Sequence, residues 1–534
     1  MTLLRRELLA LLAAPPALAV DCADAPGQPY LPPCTPWPKG LEGQRKADLG
    51  DGRYLNPVLA GDHPDPSVLK DGDDYYLTHS SFEAVPGLLI WHSRDLVNWQ
   101  PTANALHEAV GSVWAPDLCK HGGRYYLYLP VKAQPNDILV MWADRIDGPW
   151  SKPVPLGLPR HIDPTHVADD NGQRWLFLSG GDRVRLSDDG LKLAGPVEHV
   201  YDPWRYPDDW DVESFSPEGP KMLRHGGWWH MLLAVGGTAG PPTGHMVTAA
   251  RSRTLEGPWE QAPHNPLMRT RSPRERWWSR GHGSLVQGPA GDWWMLYHGY
   301  ENSFHTLGRQ MLVAPARFSA EGWFHVDADD GAPLPKPVGG QALPHGLALS
   351  DDFVGKTLKT HWQFLGGSSQ AQRVRVADGR LHLTATGKGP ADSPPLGFIQ
   401  GDPAFEVEVE ADFDEDVQVG LLMFYSPRLY AGMGANAKSL QLHRYGQDIR
   451  AVPKPAGLIP SARRMQLKLR CVRHVLTLFT RADATQPWSK FPVQMDASGY
   501  HHNTAGGFAS LRPALYAAGT GEARFAKLRY RAVD

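Results

Sequence analysis

At 534 residues the chain is too long for one compact core, so two domains are expected. Its 54 basic and 57 acidic residues leave a formal charge of -3, which excludes a long-range pull toward nucleic acid or anionic lipid. The 55 Gly, 49 Pro and 19 Trp suit tight turns, short strands and flat apolar faces for stacking, and no long amphipathic helix is written into the chain.

Residues 1–19, MTLLRRELLALLAAPPALA, read as an export signal. Arg5 and Arg6 supply the positive region, residues 8–14 the apolar one, and Ala17, Leu18 and Ala19 a small-residue cleavage site, with Glu7 interrupting the step between the first two. The arginine pair leaves both twin-arginine and Sec export open, and either implies a periplasmic or secreted protein. The apolar run is too short to span a bilayer, and no later one is long enough, so no membrane association is expected. Asp21 is a poor neighbour for a lipid anchor at Cys22. Residues 20–51 are polar and rich in Pro and Gly, a leader without a core. Cys22 and Cys34 are spaced for a local disulfide in an oxidising compartment. Cys119 and Cys471 lie in apolar strands and read as inert thiols, and the lack of any CxxC pair excludes a zinc site of that kind.

Residues 52–330 repeat one pattern five times: a polar residue, an apolar stretch, a Gly-containing turn, then an aromatic-rich strand. The copies open at Asp65, Asp117, Asp163, Glu218 and His282, and their aromatics fall at Tyr75, Tyr125, Trp175, Trp228 and Trp293, spaced by 50, 50, 53 and 65 residues. A repeat of this length predicts a five-bladed β-propeller, one blade per copy, with the five opening residues gathered at one end of the axis. A second echo, strand then turn then Trp, ends at Trp99, Trp150 and Trp259 and predicts packing between blades. Residues 331–350 are dense in Pro and Gly and read as a linker. From 351 to 534, segments such as FEVEVEADFDE and RMQLKLRCVRHVLTLFTR alternate apolar and polar residues, which predicts an antiparallel β-sandwich. The fold class is therefore all-β.

A single aspartate beside a Gly turn is most often a turn cap. Several carboxylates in register around one axis are costly to gather unless they titrate apart, pair with cations or bind metal. Two carboxyls across a pocket are what glycoside hydrolysis requires: one protonates the leaving oxygen, the other activates water or attacks the sugar. Glu218, in SFSPEGPKML, has apolar and aromatic neighbours that favour its neutral form, the state of an acid. Asp65, in GDHPDPSV, has turn amides that favour its ionised form, the state of a base. Asp163 is placed to raise the proton affinity of Glu218. Asp62 and His63 read as turn residues.

These motifs resemble glycoside hydrolase family 43. NPVLAGDHPDPSVLKDGDDYYL is similar to that family's opening blade, GSVWAPDL to its second-blade motif, HIDPTHVADDNGQRWLF to its third, and SPEGPKML to its acid motif. The resemblance implies Asp65 as general base, Asp163 as the carboxylate that tunes and orients the acid, Glu218 as the acid, and an inverting reaction with the two carboxyls roughly 6.5–9.5 Å apart. In SRGHGSLV it places His282 at the channel centre, near calcium or water, and in TLGRQ it places Arg309 on the sugar hydroxyls. One imidazole among oxygens is a poor direct calcium site, so a bonded water is the expected partner of His282, and no cofactor is required. The trailing sandwich is similar to the concanavalin-like domain of the family's β-xylosidases, where a sandwich loop closes the pocket; no residue of this chain is singled out for that task. Phe82 in SSFEAVPG and Trp114 are candidate aromatic walls, and His245, Trp278 and Arg280 further sugar contacts. The implied activity is exo-acting release of xylose or arabinofuranose from hemicellulose oligosaccharides. Cleavage of arabinan or galactan, and a non-catalytic carbohydrate-binding propeller, are the alternatives. Oligomeric state is not encoded in any motif.

Overall fold

Each of the five repeats folds into an antiparallel sheet of four or five strands, and the five sheets close a ring. The computed structural model describes residues 36–533, apart from 328, 330, 368, 369, 447, 456 and 460 and the side chains at 448–450. The signal-like segment, Cys22 and Cys34 lie outside the described residues. The inner strands are Ser67–Asp71, Asp117–His121, Thr165–Ala168, Glu218–His225 and Trp277–Gln287, and each touches the next around the ring. The aromatic-rich second strands are Asp74–Thr78, Arg124–Lys132, Arg174–Leu178, Trp228–Val235 and Trp293–Glu301. Five apolar clusters fill the five gaps between blades. Trp99 is fully buried between blades I and V, Trp150 packs between I and II, and Trp259 between III and IV, as the second echo predicts.

Among the described residues no strand is exchanged between the first and last blades. The ring is instead tied by the segment just ahead of blade I: Leu59 bridges to Met311, the Tyr54 hydroxyl donates to the Val313 carbonyl at 2.9 Å, and Arg53–Tyr54 pairs with Leu334–Pro335.

The described part of the leader, 36–51, differs from its reading as a segment without a core. It is a strap between the two domains. Arg45 donates to Glu301 at 2.7 Å in the propeller, and its backbone N–H donates to Asp402 at 3.0 Å in the sandwich. Glu42 accepts the backbone N–H groups of Leu349 and Ser350, and buried Asp48 accepts from Asn98 and Lys336. Charge rather than apolar burial holds it, so hydropathy gives no sign of it.

The second domain is two seven-stranded antiparallel sheets packed face to face over one large apolar core. Most strands alternate, as in Glu522–Ala532. Val417–Ser426 does not: it is buried on both faces, because its sheet also packs on the propeller, where Leu422, Phe424 and Tyr516 meet Ala84. Among the described residues helix is confined to short turns, the one α-helical turn being His502–Ala505. No described helix is long and apolar enough to cross a membrane. Cys119 and Cys471 are unbridged, and burial raises both thiols, Cys471 to about 12.

Candidate active site

The residues that reach the channel centre sit on a shared backbone feature. Asp65, Asp163, Gly219 and His282 are all left-handed, with φ of 57°, 54°, 59° and 53°. This conformation, costly for residues with a Cβ, turns the chain just before the inner strand in blades I and III and at a register shift within it in blades IV and V. Glu218 precedes its Gly by one residue, and the strand register shifts there. Glycine is required at 219, since a Cβ would stand 2.6 Å from the His282 Nε2.

Blade II corrects the expected ring of five. Asp117 lies two residues further along its strand, level with Ser67, Thr165 and Lys221, and Ala115 holds the place of Asp65. The Asp117 carboxylate accepts from the Thr165 hydroxyl at 2.9 Å, Lys221 Nζ at 3.0 Å and the His166 N–H at 2.8 Å. It is a tie between blades, and four blades build the centre.

Asp65 is buried and held by a dense set of donors. Arg309 donates to Oδ1 at 2.7 Å and the Ser80 hydroxyl to Oδ2 at 2.5 Å. Burial pushes its pKa up, but the Arg309 guanidinium and then His282 outweigh that and hold it well below the usual carboxylate range. His298 Nδ1 accepts the Asp65 backbone N–H at 3.0 Å, and burial pushes that imidazole down to about 3, so it is neutral.

Glu218 has the opposite setting. The residue keeps some exposure, yet its carboxyl is enclosed by protein. Burial first, and then the charge of Asp163, raise its pKa to about 8. Asp163 is fixed beside it by the Gly219 N–H, which donates to Oδ2 at 3.1 Å. Between the carboxylates stands His282, with Nε2 3.2 Å from Asp163 Oδ2 and Nδ1 3.5 Å from Asp65 Oδ1. Burial opposes its charged form, but Asp65 and Asp163 prevail and its pKa is raised.

His282 has imidazole company. His245 and His298 stack near it, with ring centroids 5.9 and 5.6 Å away. The metal-ligating atoms of Asp65, His282 and His298 lie within 4.8 Å of one another, as do those of Glu218, His245 and His282. Calcium takes six to eight oxygen ligands. Here imidazoles dominate, and the Asp65 oxygens already accept from Arg309 and Ser80, so these residues do not suit directly bound calcium. His245 is not a sugar contact: it is fully buried behind His282, and its Nδ1–H donates to the Gly236 carbonyl at 2.6 Å.

Beside Arg309 lies an aromatic cluster drawn from both domains. Phe82 and Trp114 both pack on Phe508 of the sandwich, at centroid distances of 6.2 and 5.6 Å. The Arg309 guanidinium lies 5.6 Å from Phe82 and 5.7 Å from Phe508. Arg280 is not part of this cluster. It is buried, and its guanidinium donates to Glu275 and to the Arg269 and Asp329 carbonyls. Trp278 packs 5.0 Å from His305, whose ring in turn stacks on His501 of the sandwich at 5.0 Å. Asp62, read as a turn residue, joins the domains: it accepts the Ser510 N–H at 2.9 Å, the Arg512 guanidinium at 3.2 Å and the Arg309 N–H at 3.3 Å. His63, read likewise, is buried against His79 and Trp91.

Residues 54–324 match Glycosyl hydrolases family 43. The chain belongs to that family. Residues 350–531 of this family 43 protein match the beta xylosidase C-terminal concanavalin A-like domain. It is 31% identical to a xylan 1,3-beta-xylosidase of a Vibrio species over 51% of its own length and 57% of that protein's. It thus spans little more than half the length of several curated relatives it matches. A non-reducing end alpha-L-arabinofuranosidase of Bacteroides ovatus is 25% identical over 89% of this chain and 93% of its own. The xylan beta-1,4-xylosidase of Bacillus halodurans superposes with a TM-score of 0.79 at 26% identity, over 89% of this chain and 99% of that one. Within the family 43 scaffold, sequence reasoning missed Phe508, Asp62, Ser80 and His298. Of these only His298 carried a usable signal, a polar residue within the apolar strand WWMLYHGY.

Proposed function

We propose that the protein is an exo-acting, inverting glycoside hydrolase that releases xylose or arabinofuranose from hemicellulose oligosaccharides. Asp65 is the general base, Glu218 the general acid, and Asp163 the carboxylate that keeps the proton on Glu218. The observation that carries this reading is the opposed titration of two carboxyls around one imidazole: Glu218 raised to about 8, Asp65 held well below the usual range. At neutral pH the acid is loaded and the base is empty. Asp65 takes a proton from water as that water attacks the anomeric carbon, and Glu218 gives its proton to the departing oxygen. Arg309 holds Asp65 ionised and borders the aromatic wall, which supports a role on the sugar hydroxyls. Phe82, Trp114 and Phe508 cluster beside Arg309, and an aromatic wall there supports action at a chain end. The reaction so written runs on protein side chains. The printed activities of the relatives support both sugars, and export is supported by the signal-like sequence alone.

The test is hydrolysis of chromogenic β-xylosides and α-L-arabinofuranosides by wild type, Asp65→Ala and Glu218→Ala, with NMR of the newly released anomer. Loss of turnover in both variants and an inverted anomer are expected. Undiminished turnover in either variant, or a retained anomer, contradicts the assignment.

A further inference from the structure

Apart from the channel centre, the propeller, the strap and the sandwich enclose a cavity of about 70 Å³ between them. Its walls come from residues within 40–45 of the strap, 79–81 of blade I, 345–349 of the linker and 360–363 of the sandwich. At about 10–15 Å³ for each water it has room for roughly five, the bulk of a glycerol or a pentose. Leu41 is the one exposed residue of the lining and marks the mouth.

Folded interiors leave few buried polar atoms without a partner. Here such atoms gather on one lining: Arg45 Nε, His79 Nε2, Ser81 Oγ, Trp91 Nε1 and both nitrogens of His361 have no hydrogen-bond partner among the described residues. His79, Ser81, Trp91 and His361 are each more than nine-tenths buried. The set mixes donors with acceptors. His79 Nδ1–H donates to the Ser80 carbonyl at 2.9 Å, so its Nε2 accepts. Burial lowers His79 to about 4 and His361 to about 3, so both rings are neutral near pH 7 and His361 offers one donor and one acceptor. The Trp91 and Arg45 N–H groups donate, and the Ser81 hydroxyl does either. Hydroxyl groups, which donate and accept at once, satisfy such a set. Charge does not select here. The Arg45 and Arg512 guanidinia are paired with Glu301 and Asp62, and Asp402 accepts from the Arg45 N–H and the Tyr530 hydroxyl. Among the described residues, metal-ligating groups converge in threes only at the channel centre. Leu59, Leu89, Leu347 and Leu349 add the apolar surface that the C–H face of a sugar needs.

We propose that this chamber is an effector site for a small neutral polyol, filled by the free pentose that the enzyme releases. The choice of pentose rests on the reaction proposed above; the site itself does not. Two residues of the lining act on the two oxygens of Asp65. The Ser80 hydroxyl donates to Oδ2, while Arg512 holds Asp62, Asp62 accepts the Arg309 N–H, and the Arg309 guanidinium donates to Oδ1. A sugar seated against 79–81 fixes the Ser80 bond, and a hydrogen bond held on the ionised carboxylate makes Asp65 a weaker base. Turnover therefore falls as product accumulates.

The test counts D-xylose sites by equilibrium dialysis in wild type, His361→Phe and Ser81→Ala, and reads the pattern of xylose inhibition on 4-nitrophenyl β-D-xyloside. Among the described residues neither substitution removes a hydrogen bond, so the melting temperature without sugar stays or rises. Wild type binds two xyloses, one at the channel centre and one in the chamber, and xylose lowers kcat about fivefold besides raising the apparent KM. In each variant the Kd of the chamber rises about tenfold, as expected for one lost hydrogen bond, and inhibition becomes competitive. His361→Gln, which keeps a donor and an acceptor, restores part of the binding. One site in wild type, two undiminished sites in both variants, or purely competitive inhibition of wild type overturns the chamber's role. Should the variants fail to fold, a wild-type crystal soaked in D-xylose decides: ordered sugar in the chamber supports the proposal, and water alone there overturns it. A protein that binds xylose or glycerol in the chamber but cleaves no pentoside keeps the site and loses the proposed reaction.

Discussion

The channel centre and the domain seam are built by opposite rules. At the centre, three blades lend one backbone position each and a fourth the residue just before it, and the side chains matter through what they do to one another's protons. Glu218 is raised to about 8 by burial and Asp163, while Asp65 is lowered by Arg309 and His282. At the seam, unrelated segments meet, and charges there are neutralised rather than set apart: Arg45 with Glu301, Arg512 with Asp62. The two regions join through a chain of contacts, from Arg512 to Asp62, to the Arg309 backbone, and from the Arg309 guanidinium to Asp65. On the proposed reading the centre supplies the chemistry, and the seam braces Asp65 through Arg309.

The comparison breaks if damage to the seam costs as much turnover as damage to the centre. The largest effect is expected at the centre: Glu218→Gln lowers kcat by about 10²–10⁴ on substrates with poor leaving groups and far less on good ones, read from a leaving-group series. Next, Arg512→Ala leaves Asp62 buried without its cation and lowers unfolding free energy by about 3–5 kcal/mol in denaturant titration, and adding Asp62→Asn recovers part of it. Phe508→Ala removes the sandwich's share of the wall. It lowers kcat/KM by about tenfold, chiefly through KM, with melting temperature little changed because Phe508 is only half-buried. The last effect is on the pH dependence of stability. Folded Glu218 keeps its proton up to about 8, whereas an ordinary glutamate releases it near 4.5, so the unfolded chain binds fewer protons between these values and stability falls as pH rises through that window. Glu218→Gln removes that slope in pH-dependent melts.

The repeat made the propeller, its blade count and the place of Asp65, Asp163, Glu218 and His282 legible, because one backbone geometry recurs at near-regular spacing. It misled at blade II, where Asp117 copies the pattern two residues late and Ala115 fills the central place. Alternation revealed the sandwich but failed at Val417–Ser426, whose outer face is covered by the propeller. Phe508, Asp62 and the 36–51 strap were illegible for a common reason. Their partners lie in the other domain, hundreds of residues away, and neither periodicity nor local turn chemistry reports a contact of that kind. Arg280 and His245 misled in the reverse way: both are polar and near His282 in sequence or space, yet backbone carbonyls, with Glu275 for Arg280, occupy their donors.

The pH dependence of kcat/KM in wild type and Asp163→Asn tests the central claim most directly. Wild type should hold a plateau from below the ordinary carboxylate range through neutrality and lose activity near pH 8, as Glu218 gives up its proton. In Asp163→Asn that alkaline limb should move to lower pH, since a charge that retains the proton is gone. An alkaline limb that stays in place, or moves upward, would contradict the pairing of Asp163 with Glu218 on which the account stands.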